Sequence, residues 1–174
     1  MSKIITISGK AQHGKTTSAE IIKTILTDKN KTAIIFNYGD ILKFICKDYF
    51  GWNGKKDEHG RRLLQYVGTD FIRIYDRDFF VNIGIYILKV VFRSYDYVIV
   101  ADCRFPNEIN GLKEKFNDVI TLKVFREDYE SNLTEEQQQH PSETSLDTYL
   151  FDYIIIAENI HELIEKLIDF CEKI

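Results

Sequence analysis

Apolar residues along this chain fall into two alternating spacings. Five short runs, KIITIS (3–8), TAIIFN (32–37), DYVIVAD (96–102), VITLKVF (119–125) and FDYIIIA (151–157), are rich in β-branched residues and nearly continuous in apolar character. Such runs predict strands buried on both faces. Between them the apolar period lengthens to that of a helix, from Gly14 to about Leu26, over GDILKFICKDYF (39–50) and from Glu58 to Tyr75. In the last of these, Leu63, Leu64, Val67, Phe71, Ile72 and Ile74 recur at helical intervals. Two more helices are predicted over 105–116, with Pro106 in the first turn, and over 159–174, with Asn159 as N-cap. FFVNIGIYILKVVF (79–92) fits a helix or, as a second choice, a strand. Residues 126–141 are polar and without period, a loop or lid.

Strands alternating with helices predict an α/β chain: a five-stranded, mainly parallel sheet with helices on both faces. No repeat or low-complexity linker interrupts the 174 residues, so residues 1–174 are expected to form one domain. In such sheets ligands bind at the carboxyl ends of the strands. Net charge is -4 and no dense block of Lys and Arg occurs, which argues against a nucleic-acid partner. The three cysteines, Cys46, Cys103 and Cys171, form neither a CxxC pair nor a disulfide framework, as expected in a reducing cytoplasm. The N-terminal apolar run is too short for a signal peptide, and nothing approaches the ~20 apolar residues of a spanning helix, so no membrane partner is expected.

The chemistry is concentrated where the first strand meets the first helix. Gly9-Lys10-Ala11-Gln12-His13-Gly14-Lys15-Thr16 fits G-x-x-x-x-G-K-[ST], the phosphate-binding P-loop, in the strand-to-helix context it requires. The glycines let backbone N–H groups converge on phosphate oxygens, and the helix adds its positive end. Lys15 would reach the β- and γ-phosphates, and the Thr16 hydroxyl would ligate Mg2+. The sheet is therefore expected to have the three-layer P-loop NTPase fold. His13 is read as an outward-facing loop position without a catalytic part, because phosphoryl transfer needs little proton chemistry there.

Two further segments carry candidate residues. Asp102 ends a predicted buried strand in VIVADCRFPNE (98–108) and is either a carboxylate for the magnesium shell or a helix-capping acid. Arg104 follows it toward the same crevice. In a chain with only seven arginines among 23 basic residues, each is a candidate for forked binding of an oxyanion. RRLLQYVGTDFIR (61–73) brings Arg62, Gln65 and Arg73 within a few helical turns. The arginines could grip a monophosphate and the Gln65 amide could read a base edge; the alternative is a solvated helix face.

ISGKAQHGKTT, RRLLQYVGTDFIR, DCRFPNEI and HPSETSLDTYLFDYIII, in this order and spacing, resemble the bacteriophage-type deoxynucleoside monophosphate kinases. The resemblance covers nearly the whole chain. It implies transfer of the γ-phosphoryl of ATP to a deoxynucleoside monophosphate, with ATP and Mg2+ as cofactors, in a monomer or homodimer of the cytoplasm (the host's, if the gene is viral). It implies that residues Gly9 to Thr17, including Gln12, His13, Gly14, Lys15, Thr16 and Thr17, hold the ATP phosphates. Asp40 and Lys43 would lie by the acceptor pocket, within a helical acceptor-binding part over about 39–93. Gln65, Arg73 and Arg104 would position the monophosphate, with Arg62, Asp102 and Glu143 around it. Arg126 would close over the ATP phosphates from the 126–141 lid, making Lys15, Arg73, Arg104 and Arg126 the catalytic set. His140, Ser142 and Glu143 match a signature whose part is either contact or a turn at His140-Pro141. The family pattern also carries a tryptophan in the helix after GTDFIR, where this chain has Phe79-Phe80. Two other readings of the P-loop are a kinase of another small phosphorylated acceptor, phosphomevalonate-like, and a nucleotide-binding module without kinase activity.

Overall fold

The structure is a computed structural model describing residues 2–127, 129 and 131–174. Five strands form one sheet: β1 (Lys3–Ser8), β2 (Ala33–Phe36), β3 (Tyr97–Cys103), β4 (Val119–Arg126) and β5 (Tyr153–Ala157), in the order β2-β3-β1-β4-β5. Every pairing is parallel. The strand order reverses direction around β1, and the crevice at the carboxyl ends of β1, β3 and β4 is where ligands lodge in such sheets.

Period-two alternation divides the strand residues between two cores. Ile4, Val98 and Val100 face one layer, with α5 (Phe79–Val91) and α6 (Pro106–Lys115) packed on it. Ile5, Ile7, Ile99, Ala101, Leu122 and Val124 face the other, covered by α1 (Lys15–Asp28) and α9 (Ile160–Lys173). Ile4, Ile5, Ile7 and Ile99 are fully buried, each contributing roughly 1.5–3 kcal/mol. Residues 79–91 thus form the helix of the two choices, with Phe80, Val81, Gly84, Ile85 and Leu88 on its buried face. Asn159 caps α9, its Oδ1 accepting from His161 N–H at 3.0 Å and Glu162 N–H at 3.1 Å. The cysteines are all buried and unpaired with one another.

Two segments differ from the sequence expectation. The run expected as one helix over 58–75 is α3 (Glu58–Gln65), a π-helical stretch (Tyr66–Ile72) and α4 (Arg73–Tyr75). The wide turn contains Gly68, where a Cβ would sit 2.8 Å from Leu42 Cδ2 of α2 (Tyr38–Tyr49), so a side chain there would displace Leu42. The 126–141 stretch, expected to be patternless, contains α7 (Glu135–Gln139), followed by α8 (Pro141–Thr144). Thr134 and Gln137 cap α7 reciprocally: Thr134 Oγ1 accepts from Gln137 N–H, and Gln137 Oε1 accepts from Thr134 N–H. Asp128 and Glu130 of this stretch lie outside the described residues.

Candidate active site

β1 delivers the chain into the P-loop, where the backbone leaves ordinary conformations. Gly9 has φ +153°, and a Cβ there would lie 2.4 Å from the Val124 carbonyl oxygen of β4. Gln12 and Gly14 take left-handed φ values of 66° and 86°. Helix α1 then begins without a side-chain cap and without an acid in its first turn. Its leading amides and positive end are therefore available to an anion from outside the chain. Lys15 Nζ folds back onto the Gly9 and Lys10 carbonyls, at 2.7 Å each. Burial, then the nearby Arg104 charge, pull the Lys15 pKa down to about 7, against the opposing influence of Glu143 and Asp102.

Lys15, Thr16, Asp102, Arg73 and Arg104 all line one cleft of about 530 Å³. That volume is in the range of small-molecule sites. Arg73 is anchored by two rings and two hydrogen bonds. Its guanidinium lies between the rings of Phe80 and Phe105, 4.5 and 4.2 Å from their centroids. Nη1 donates to the Gly68 carbonyl at 2.9 Å and Nη2 to the Glu108 carboxylate. Arg104 donates to the Ser142 carbonyl at 2.9 Å and pairs with Glu143.

Asp102 accepts from the Tyr38 and Gly39 amides, 2.8 Å at each oxygen, and so caps α2 from the end of β3. Burial raises its pKa while those two amides lower it. The capping reading of Asp102 is thus present in the fold, and the acid also faces the cleft. Glu143 Oε2 accepts from the Ala11 N–H of the P-loop at 2.7 Å. With Arg104 on its other oxygen, this carboxylate is occupied by protein groups rather than held open for a ligand. The signature around His140 is a strap: His140 Nδ1 accepts from Ser142 N–H at 3.2 Å, and Asp147 pairs with Lys10 at 3.5 Å.

Gln12, Lys43 and Gln65 also line the cleft. Several candidates stand elsewhere. Asp40 is not a lining residue; it bonds Lys43 at 2.5 Å and Asn37 at 3.0 Å on the surface. Gly39 and Lys43, four residues apart, share the helix face turned to the cleft, and Asp40 falls off it. Arg62 is exposed, and Arg61 lines the cleft in its place. Arg61, Leu64, Gln65 and Gly68 make one helical face, so counting back four from Gln65 leads to the arginine that faces the cleft. Arg126 is exposed at the end of β4, its guanidinium 4.9 Å from the Tyr129 ring and outside the cleft lining.

His13 does not face outward. It is 8% exposed, beside the Phe125 and Tyr129 rings, and its Nδ1 accepts from Arg126 N–H at 3.0 Å. Burial, with Lys15 and Lys10 nearby, lowers its pKa, which keeps the ring neutral with its proton on Nε2. Gly9 and Gly14 shape the loop without lining the cleft, and Thr17 is exposed beyond it. Sequence reasoning missed Lys56, from the loop before α3, and Glu108, the first-turn acid of α6; both line the cleft. Lys56 gave no periodic signal, whereas Glu108 stood inside the quoted RFPNE.

The comparisons with known proteins follow this geometry. The sequence matches the deoxynucleotide monophosphate kinase family over residues 27–168. The chain belongs to that family. The matched span begins within α1, so the kinase's phosphate loop rests on the geometry above. No curated protein is detectably similar to the kinase in sequence. Among solved structures, the APS kinase of Mycobacterium tuberculosis in complex with AMPPNP and APS superposes with a TM-score of 0.51 at 9% identity, covering 98% of each chain. Shikimate kinase from Bacteroides thetaiotaomicron gives 0.51 at 14% identity, covering 98% of the kinase and 96% of that chain. At such identities these likenesses speak to the fold alone, a P-loop kinase sheet with its helices. No helix among the described residues is long and apolar enough to cross a membrane.

Proposed function

We propose that this deoxynucleotide monophosphate kinase, acting as one domain, moves the γ-phosphoryl of ATP to a deoxynucleoside monophosphate, giving ADP and the diphosphate. The reading is carried by one observation: the P-loop lysine and the two arginines Arg73 and Arg104 line the same cleft. Two anion-binding groups facing one space fit a donor phosphate tail and an acceptor phosphate. The acceptor phosphate has a second pKa near ~6, so it is mostly ionised at neutral pH and needs no general base. Catalysis is then positioning and charge stabilisation.

In this scheme the P-loop amides and the start of α1 hold the ATP phosphates, and Lys15 leaves the Gly9 and Lys10 carbonyls for the β- and γ-oxygens. Arg73 and Arg104 hold the acceptor phosphate, with Lys43, Lys56 and Arg61 supplying further positive charge. Gln65 faces the base. Glu143 keeps Arg104 beside the P-loop instead of touching substrate. Arg126 reaches the phosphates only if the segment after β4 moves inward. Thr16 and Asp102 fit a magnesium ion in part: both line the cleft, and the Asp102 oxygens, although each accepts one amide, retain a second lone pair. The ion would be held there mainly by phosphates and water, and would neutralise charge on the transferring group.

The test is ADP release with each of the four deoxynucleoside monophosphates as acceptor. Strong stimulation by at least one is expected. ATP turnover without any acceptor, or stimulation only by an acceptor that is not a nucleotide, would refute the assignment.

A further inference from the structure

We propose that Glu108 is the positioning residue of the acceptor side, one carboxylate that sets both phosphate-gripping arginines. This rests on the acceptor-side reading above. Glu108 is 1% exposed at the start of α6 and lines the cleft. Its Oε1 accepts from Arg73 Nη2. Its Oε2 accepts from Arg104 N–H at 2.7 Å and from Phe105 N–H at 3.1 Å. One oxygen therefore fixes the Arg73 side chain, and the other fixes the backbone from which Arg104 springs and from which Phe105 lays its ring on Arg73.

A buried guanidinium needs such a partner. Burial lowers the Arg73 pKa and the Glu108 carboxylate pulls it back, while Arg73 in turn offsets the burial that raises Glu108. Arg73 offers five N–H donors in a rigid fork. Two are engaged, by Gly68 and Glu108. With two rings clamping the plane and two donors anchored, the fork has one orientation, and its remaining donors can meet the acceptor phosphate without reorganising. Phe105 and Phe80 supply the clamp, and Phe105 stays in place because its own amide is bound by the same carboxylate.

Glu108 touches neither substrate in this account; it acts through Arg73 and Arg104. A merely structural part, as first-turn acid of α6, would lower the amount of active protein and leave both Michaelis constants unchanged. A positioning part moves them unequally. In Glu108→Gln, the KM for the deoxynucleoside monophosphate should rise about tenfold or more, while the KM for ATP stays within about twofold, given the cost of losing one preorganised charge partner. KM does not depend on the active fraction, so a partly folded preparation still reports. If Glu108→Gln yields no folded protein, Glu108→Asp, which keeps the charge and withdraws it by one methylene, carries the same expectation.

The second arm places Glu108→Gln in an Arg73→Ala background. There its effect on acceptor kcat/KM should shrink to about threefold or less, the share passing through Arg104. Equal effects in both backgrounds, or a fall in kcat with both KM values unchanged, would overturn the proposal. Wild-type protein that phosphorylates no nucleotide would instead sink the reading beneath it, and the two failures are distinguishable.

Discussion

Raising the pH above neutrality should strip this kinase of ATP. Lys15 has a pKa of about 7 in the unliganded protein, set first by burial and then by Arg104. Phosphates placed against Nζ would restore a value near the ordinary lysine range of about 10.4. Binding therefore takes up a proton between those limits. The charged fraction of unliganded Lys15 falls from about one quarter at pH 7.5 to about one hundredth at pH 9, so the Kd for ATP should rise about 25-fold over that interval. At these pH values the phosphates themselves are already ionised. Calorimetric titrations in buffers of different ionisation enthalpy should show an uptake of about 0.9 proton per ATP at pH 8. The same linkage has a stability face. The folded lysine binds fewer protons than the unfolded one between the two pKa values, so the unliganded protein should gain stability as pH climbs through that window. A Kd constant within threefold from pH 7.5 to 9, with no proton uptake, would refute the argument. Lys15→Met should abolish the pH dependence as well as most of the affinity.

Other substitutions test separate parts of the site. Lys15→Ala should lower turnover by about 10²-fold or more with the circular dichroism spectrum intact, the cost of one lost oxyanion partner. Arg61→Ala should raise the acceptor KM several-fold while Arg62→Ala leaves it within twofold; steady-state kinetics with the monophosphate varied at saturating ATP separates the two, and equal effects would contradict the helix face assigned to α3. Gly9→Ala places a Cβ 2.4 Å from the Val124 carbonyl. It should cost about 1–3 kcal/mol in denaturant unfolding and weaken ATP binding, because the loop must shift to relieve the overlap.

The sheet was legible because its signals are local. β-branched runs of six or seven residues, the first ended by Gly9 and the third by Asp102, mark strands without any knowledge of neighbours, and the P-loop announces its own context. Helix α7 was not legible for the opposite reason. α7 is five residues of EEQQQ, held by the Thr134–Gln137 cap and by the Gln65 amide, which donates to the Gln137 carbonyl at 3.4 Å, with no apolar period to reveal it. Arg62 was named and Arg61 was not because a helical segment shows its faces only when one member is anchored, and the anchor, Gly68 against Leu42, is a tertiary contact. His13 turned inward because Phe125 and Arg126 of β4 lie beside the loop, a neighbour more than a hundred residues away in sequence. Glu108 stood in the quoted RFPNE without a part, because the partners that give it one, Arg73 and the Arg104 amide, meet it only in the fold.

A chain of net charge -4 nevertheless builds a cationic cleft. Six basic side chains, Lys15, Lys43, Lys56, Arg61, Arg73 and Arg104, line it against three carboxylates, Asp102, Glu108 and Glu143. Each carboxylate is tied to protein donors: Asp102 to the head of α2, Glu108 to Arg73 and the head of α6, Glu143 to the P-loop and Arg104. The acids act as struts, and the positive excess is left for ligands. The mutual repulsion shows in Lys15 and Lys56, both of whose pKa values are lowered by burial and by neighbouring cations. Two nucleotides, bringing a triphosphate and a monophosphate, reverse that imbalance. Binding of the first should therefore leave the geometry of the other side unchanged, because the struts keep Arg73 and Arg104 in place whether or not the P-loop is filled. The acceptor arginines are consequently preformed, and the monophosphate KM should vary little with ATP concentration, as in a random-order kinase. A strictly ordered rate pattern, with the monophosphate binding only after ATP, would mean that Glu143 releases Arg104 when the P-loop fills and that the strut is a latch.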